Sequence, residues 1–175
     1  MLASSPNAVK RIIAQQISTK NGASLTGLAK RFKSSGAGVR HITKISDLSR
    51  PEIASILSLA MEMRATPSDY HDALKHKTLL MLFEKPSLRT RVSLEAGMTS
   101  LGGHGIAYMT GDSPIGKKET YEDTGAVLSR MSDAVTARVK SREQIAGLAA
   151  NSTIPIVNAL DDYAHVSLCV VAVEI

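Results

Sequence analysis

From residue 49 to residue 160 the chain alternates short continuous apolar runs with stretches whose apolar residues recur at helical spacing. The run Thr78-Leu79-Leu80-Met81-Leu82-Phe83 is the clearest of the former, as expected for a strand buried on both faces of a parallel sheet. Strands are predicted over 78–83, 104–109, 133–139 and 154–160, and helices from residue 50 and over 88–101, 119–131 and 141–150. Ser49-Arg50-Pro51-Glu52 has the capping-box form with proline at the first helical position, and places Ile53, Ile56, Leu57 and Ala60 on a face expected in the core. Ser87 is a good N-cap for the stretch carrying Val92, Leu94, Ala96, Met98 and Leu101, which stops at Gly102-Gly103. The alternation predicts an α/β fold, a doubly wound parallel sheet flanked by helices, with ligands bound beyond the carboxyl ends of the strands.

Candidate chemistry collects at those ends. Pro86 stops the first strand, so a helix start is aimed at the strand end, where free first-turn N–H groups, the Ser87 and Thr90 hydroxyls and the Arg89 guanidinium suit a phosphate. Residues two apart on a helix diverge by roughly 200°. Arg89 and Arg91 therefore cannot share one ligand, and Arg91 is assigned a structural ion pair. Arg138 closes another predicted strand, and His165 lies just beyond the last. Taken alone, the 87–91 segment also reads as an ordinary basic helix start, Arg138 as a surface ion pair, and His165 as a capping or packing residue. Lys85 is open between shaping the local field and simple solvation.

Pro86-Ser87-Leu88-Arg89-Thr90-Arg91 resembles the carbamoyl-phosphate signature of the aspartate and ornithine carbamoyltransferase superfamily, usually Ser-Thr-Arg-Thr-Arg, with Leu88 where threonine is usual. Further matches follow in order: Leu101-Gly102-Gly103, Gly116-Lys117-Lys118-Glu119-Thr120 with Glu122-Asp123-Thr124, Asp133 to Val139, and Ile154 to His165. They cover residues 42–165. Lys85, the Ala137-Arg138-Val139 strand end and Leu160-Asp161-Asp162-Tyr163 resemble the ornithine branch more than the aspartate branch. The resemblance implies a carbamoyltransferase N-terminal domain and transfer of the carbamoyl group of carbamoyl phosphate to the δ-amino group of ornithine, giving citrulline and phosphate without metal or other cofactor. It implies that Ser87, the Leu88 N–H, Arg89, Thr90 and Arg138 bind phosphate, while Thr90, Arg138 and His165 approach the carbonyl oxygen as the catalytic set. It also implies a homotrimer in which the loop from Gly111 to Lys117 reaches a neighbouring subunit, although Pro114 departs from the residues usual there.

Charge changes the picture at the amino end. The first 46 residues hold eight Lys or Arg and no Asp or Glu, and because the whole chain is +5 the remainder is −3. Residues 1–35 therefore read as a mitochondrial transit peptide without fixed structure, amphipathic through Val9, Ile12, Ile13 and Ile17 and cut near Phe32, and place the protein in the matrix. A nucleic-acid partner is disfavoured because only Phe32 in that arm could stack on a base. No apolar run approaches the ~20 residues that span a bilayer, so no membrane role is expected. A single cysteine, Cys169, excludes an internal disulfide, and His41, His71, His76 and His104 lack ligand spacing.

The domain is expected over 40–165. After His165 the resemblance breaks: the family continues with Pro-x-Gln and a helix into an ornithine-binding domain, whereas this chain reads Val166-Ser167-Leu168 to Ile175. Residues 166–175 read as an aberrant tail, with Val-Ser encodable by an intron donor, and the ornithine domain as absent. On that reading the polypeptide is inactive alone and competes with a non-catalytic binder of carbamoyl phosphate or phosphate.

Overall fold

The buried apolar residues within 81–83, 135–137 and 156–159 lie in three separate strands, and Ile145 and Leu148 join them from a helix. A computed structural model describes residues 38–111, 113–164 and 166. The leader 1–35, His165 and all of the tail except Val166 lie outside them. Among the described residues the strands are β1 (Thr78–Phe83), β2 (His104–Met109), β3 (Ala134–Arg138) and β4 (Ile156–Leu160). The helices are α1 (Arg50–Ala65), α2 (Leu88–Ser100), α3 (Tyr121–Leu128) and α4 (Arg142–Ala150). All pairings are parallel, in the order β2-β1-β3-β4. This is the expected α/β architecture. Chain order reverses beside β1: β2 lies on one side of it and β3 on the other, so the carboxyl ends of β1 and β3 form the switch point where such sheets bind ligands.

The core lies between the sheet and the α3–α4 pair. Leu82, Val135, Ala137, Val139 and Ile156 pack with Ile145 and Leu148, joined at the edge by Leu80, Tyr121 and Leu128. On the opposite face α2 packs against β2, and at Gly105 Glu95 of α2 and Met81 of β1 leave little room for a side chain. Gly102, at a φ of 77°, takes the left-handed turn that ends α2. His41 carries a backbone bond, its Nδ1 accepting the Ile156 N–H at 3.2 Å, and burial pushes its pKa down.

Several expectations need correction. α1 has its capping box, with the Ser49 N–H donating to Glu52 Oε2 at 2.7 Å, and Arg40 followed by Ser49 pulls the Glu52 carboxyl down to about 2. Yet Ile53, Ile56, Leu57 and Ala60 are only half-buried, and no residue of α1 enters the core. In α2, Val92 is 52% exposed and Ala96 is also outside, because a spacing of two does not keep to one helical face; Leu94 and Met98, four apart, face inward. α3 spans Tyr121–Leu128 rather than 119–131, since Thr120 caps it by accepting the Asp123 N–H at 3.1 Å. Its far end tightens to a bond from the Arg130 N–H to the Val127 carbonyl.

Candidate functional site

One transverse row of the sheet sets the site. Met109, Phe83 and Arg138 are register partners across β2, β1 and β3, and Arg138 pairs onward to Leu160 in β4. Between Ala137 and Arg138 the β3–β4 register slips past Ala159, a bulge of the kind that re-aims side chains beside active sites. Ser87 and Arg138, predicted to share a site, thus both follow or end adjacent strands at the switch point.

Ser87 occupies the N-cap position in an extended conformation, but its side chain does not cap the helix. Its hydroxyl instead donates to Thr90 Oγ1 at 3.0 Å. The first helical bond runs from the Arg91 N–H to the Ser87 carbonyl, so the N–H groups of Leu88, Arg89 and Thr90 have no partner among the described residues. Three N–H donors, the Thr90 hydroxyl proton and the positive end of a 13-residue helix are therefore left for an anion. The Leu88 side chain is 78% exposed, so at this position only the backbone can serve the site.

The arginines separate as charge pairing demands. Arg91 Nε donates to Glu95 Oε1 at 3.0 Å, four residues along, which is the predicted structural pair. None of the ion pairs among the described residues includes Arg89 or Arg138. Among the described residues Arg138 Nε is buried without a hydrogen-bond partner and Arg138 is in none of the ion pairs, so the surface ion pair that its position on a strand had left open is not formed there. A buried donor without a partner costs about 1–3 kcal/mol, a cost that an anionic ligand at that position would remove. Lys85 is exposed.

Sequence reasoning missed two groups of polar residues around these ligand candidates. Glu84, directly after β1, accepts from the Tyr121 hydroxyl at 2.5 Å, from Gln144 Nε2 at 3.0 Å and from the Lys140 N–H at 2.9 Å. Burial first, then the Glu84 carboxylate, pushes the Tyr121 hydroxyl pKa far up, so it remains a donor. After β4, buried Asn158 donates to Asp161 Oδ2 and to the Thr43 carbonyl, both at 2.9 Å. Asp161 Oδ1 accepts the N–H groups of Tyr163 and Ala164 at 2.7 and 2.5 Å. This fixes the backbone up to the residue before His165, which itself lies outside the described residues. An Asn-x-x-Asp pair at a strand end was the available signal. Glu84, Tyr121 and Gln144 are 37 and 23 residues apart in sequence and offered none.

Residues 40–167 match the model of the aspartate/ornithine carbamoyltransferase carbamoyl-P binding domain. A catabolic ornithine carbamoyltransferase of Halobacterium salinarum is 41% identical over 127 residues, covering 73% of this chain and 43% of that protein. The solved ornithine transcarbamoylase of Giardia lamblia is 43% identical with a TM-score of 0.65, over 73% of this chain and 39% of that one. A mitochondrial ornithine carbamoyltransferase from Coccidioides immitis is 34% identical with a TM-score of 0.69, over 77% of this chain and 45% of that one. The chain thus spans less than half the length of these relatives. A parallel sheet with an unpaired arginine and an uncapped helix start at its switch point, matched over most of the described residues, leads to one conclusion: this chain belongs to the aspartate/ornithine carbamoyltransferase family and carries its carbamoyl-P binding domain.

Proposed function

We propose that the domain binds carbamoyl phosphate as one half of an ornithine carbamoyltransferase site. The observation that carries this reading is the buried Arg138 Nε without a partner, beside a helix start whose first-turn N–H groups are free. In this reading the N–H groups of the first α2 turn, Ser87, Arg89, Thr90 and Arg138 hold the phosphate. Thr90, Arg138 and His165 donate toward the carbonyl oxygen, where negative charge develops as a nucleophile adds. The neutral δ-amino group of ornithine attacks the carbonyl carbon, the bond from that carbon to the phosphate oxygen breaks, and phosphate leaves with the electron pair and takes up the proton that the attacking nitrogen loses. Ornithine is preferred to aspartate as acceptor because Lys85 and Leu160-Asp161-Asp162-Tyr163 follow the ornithine branch, and because the relatives above carry that name. Assembly as a trimer, with the Gly111 to Lys117 loop reaching a neighbour, belongs to the same proposal.

The test is calorimetric titration of carbamoyl phosphate and of inorganic phosphate into the chain and two variants. Arg89→Ala removes a charge-assisted hydrogen bond worth roughly 1.5–3 kcal/mol, so binding should weaken at least tenfold with folding unchanged. Arg91→Ala removes only a half-exposed i,i+4 pair worth about 0.3–0.5 kcal/mol, so affinity should be unchanged and stability slightly lower. Equal losses of affinity would mean that the anion sits on the other side of the helix.

We further infer that residues 1–35 direct the protein to the mitochondrial matrix. The acid-free basic composition supports this, as does the mitochondrial origin stated for the Coccidioides relative. A fluorescent reporter fused after residue 46 should enter mitochondria and begin, by amino-terminal sequencing, near Phe32. A cytosolic reporter retaining Met1 would refute it.

A further inference from the structure

Tyr121 lies between Thr120 and Glu122 of the family motifs and belongs to none of them, yet its hydroxyl points at the turn after β1. The Glu84 backbone N–H donates to the Arg138 carbonyl at 2.8 Å, which extends the β1–β3 pairing by one residue. Beyond this point the two segments diverge, one to Ser87 and α2, the other to Lys140 and α4. Register dictates where their side chains go. Phe83 and Arg138 are partners and share a face, so Glu84 turns to the opposite face, toward α3 and α4.

There the Glu84 carboxylate accepts hydrogen bonds from donors in three places. Tyr121 is the first residue of α3, Gln144 lies in the first turn of α4, and Lys140 offers its backbone N–H two residues after Arg138. Gln144 completes the closed set: its Nε2 donates to the Tyr121 hydroxyl at 2.6 Å, and its Oε1 accepts the N–H groups of Lys140 and Ser141 at 2.7 and 2.9 Å. The Lys140 N–H is thereby shared between Glu84 and Gln144. The Lys140 N–H bond to Glu84 ties the residue three before Ser87 directly to the backbone two residues after Arg138, and Gln144 links the same two residues through its amide.

We propose that Glu84, Tyr121 and Gln144 form a clamp of positioning residues that fixes the separation between the Ser87–Thr90 anion cradle and Arg138. None of the three touches the ligand; they act through the two strand ends. This rests on the carbamoyl phosphate reading above. A phosphate held jointly by a helix start and by an arginine on the next strand is sensitive to the distance between them, because a displacement of 1 Å lengthens a hydrogen bond beyond its useful range. The clamp consists of one carboxylate, one amide and one phenol, all neutral apart from Glu84, so it adds no second cation to compete for the anion.

The test is an exchange of partners. Gln144→Glu opposes two carboxylates across the clamp, and Glu84→Gln opposes two amides, while the double variant restores one carboxylate and one amide with the positions swapped. Phosphate and carbamoyl phosphate are titrated into the chain, the two single variants, the double variant and Tyr121→Phe, at a temperature well below each Tm. Each single exchange should weaken both ligands about tenfold, and the double exchange should recover to within about twofold of the unaltered chain. Tyr121→Phe, losing the hydroxyl's two hydrogen bonds, should weaken both by about threefold to tenfold. A lowered Tm with unchanged affinity in the single variants would show that the three residues only stabilise the fold and would overturn the proposal. A double variant as weak as the singles would overturn it too, since pairing would then not be the cause. If the unaltered chain binds neither ligand, the carbamoyl phosphate reading fails, and the clamp with it, a result distinguishable from equal binding by every variant.

Discussion

Arg138→Met is expected to reduce the affinity for carbamoyl phosphate by about a hundredfold or more while leaving the melting temperature unchanged or higher. The two halves of this result have one cause. Arg138 Nε is buried at the end of β3 with no partner among the described residues, so in the free protein the group contributes a desolvation cost and no compensating bond. Methionine keeps most of the apolar volume of the arginine stem and removes the unpaired donor, and replacements of this kind are often neutral or stabilising. With the anion bound the balance reverses: a guanidinium can make two charge-assisted bonds to a phosphate, together on the order of 3 kcal/mol or more, and methionine can make none. Calorimetric titration beside a thermal melt measures both halves. A loss of several degrees in Tm with affinity retained would make Arg138 a structural residue and remove the main support for the proposed site.

Gly125→Val should be the most damaging substitution outside the site, lowering unfolding free energy by about 3 kcal/mol or more. A Cβ at Gly125 would fall on the Leu148 carbonyl, so the position is closed by backbone of the facing helix rather than by a side chain that could turn away. α3 and α4 would have to move apart. Leu148, Ile145 and Leu128, which pack between these helices and the sheet, would lose contacts in consequence. For a domain whose total stability is typically 5–15 kcal/mol, that is a large fraction. Urea unfolding checks it, with Gly97→Ala as the control. Gly97 faces open space within α2, so alanine there should be neutral or stabilise by about 0.5–1 kcal/mol. If Gly125→Val unfolds within about 0.5 kcal/mol of the unaltered chain, the close crossing of α3 and α4 is wrong.

The Arg138 result also bears on how the site is divided between sequence neighbours. Ser87, Leu88, Arg89 and Thr90 come from one turn of one helix, and local chemistry is enough to assemble them: an extended residue at the N-cap, free N–H groups after it, and a basic residue on the exposed side. Arg138 comes from 48 residues further along and reaches the same strand ends only because β3 pairs with β1. The role proposed for it therefore depends on the β3–β1 register, and on the same proposal the residues that hold that register act on the ligand without meeting it.

The division between what residue order decided and what folding decided follows this line. Continuous apolar runs, helical spacing and capping residues located the four strands and, within a few residues, the starts of the four α-helices found among the described residues, because each of these signals is a property of adjacent positions. The free helix start at 87–90 and the ion pair of Arg91 were legible for the same reason, since both depend on helical geometry over less than two turns. What could not be read was anything set by packing between distant segments. The α1 face of Ile53, Ile56, Leu57 and Ala60 has core composition, yet these residues are half-buried, because burial depends on what covers a face and not on the face itself. The missing ion pair of Arg138, the bulge past Ala159 and the Glu84–Tyr121–Gln144 set arise where β1, β3, β4, α3 and α4 meet, at sequence separations of 21 to 60 residues. No local pattern encodes them, because the hydrogen-bond partner of each group is chosen by the register and crossing of elements that are neighbours only in three dimensions.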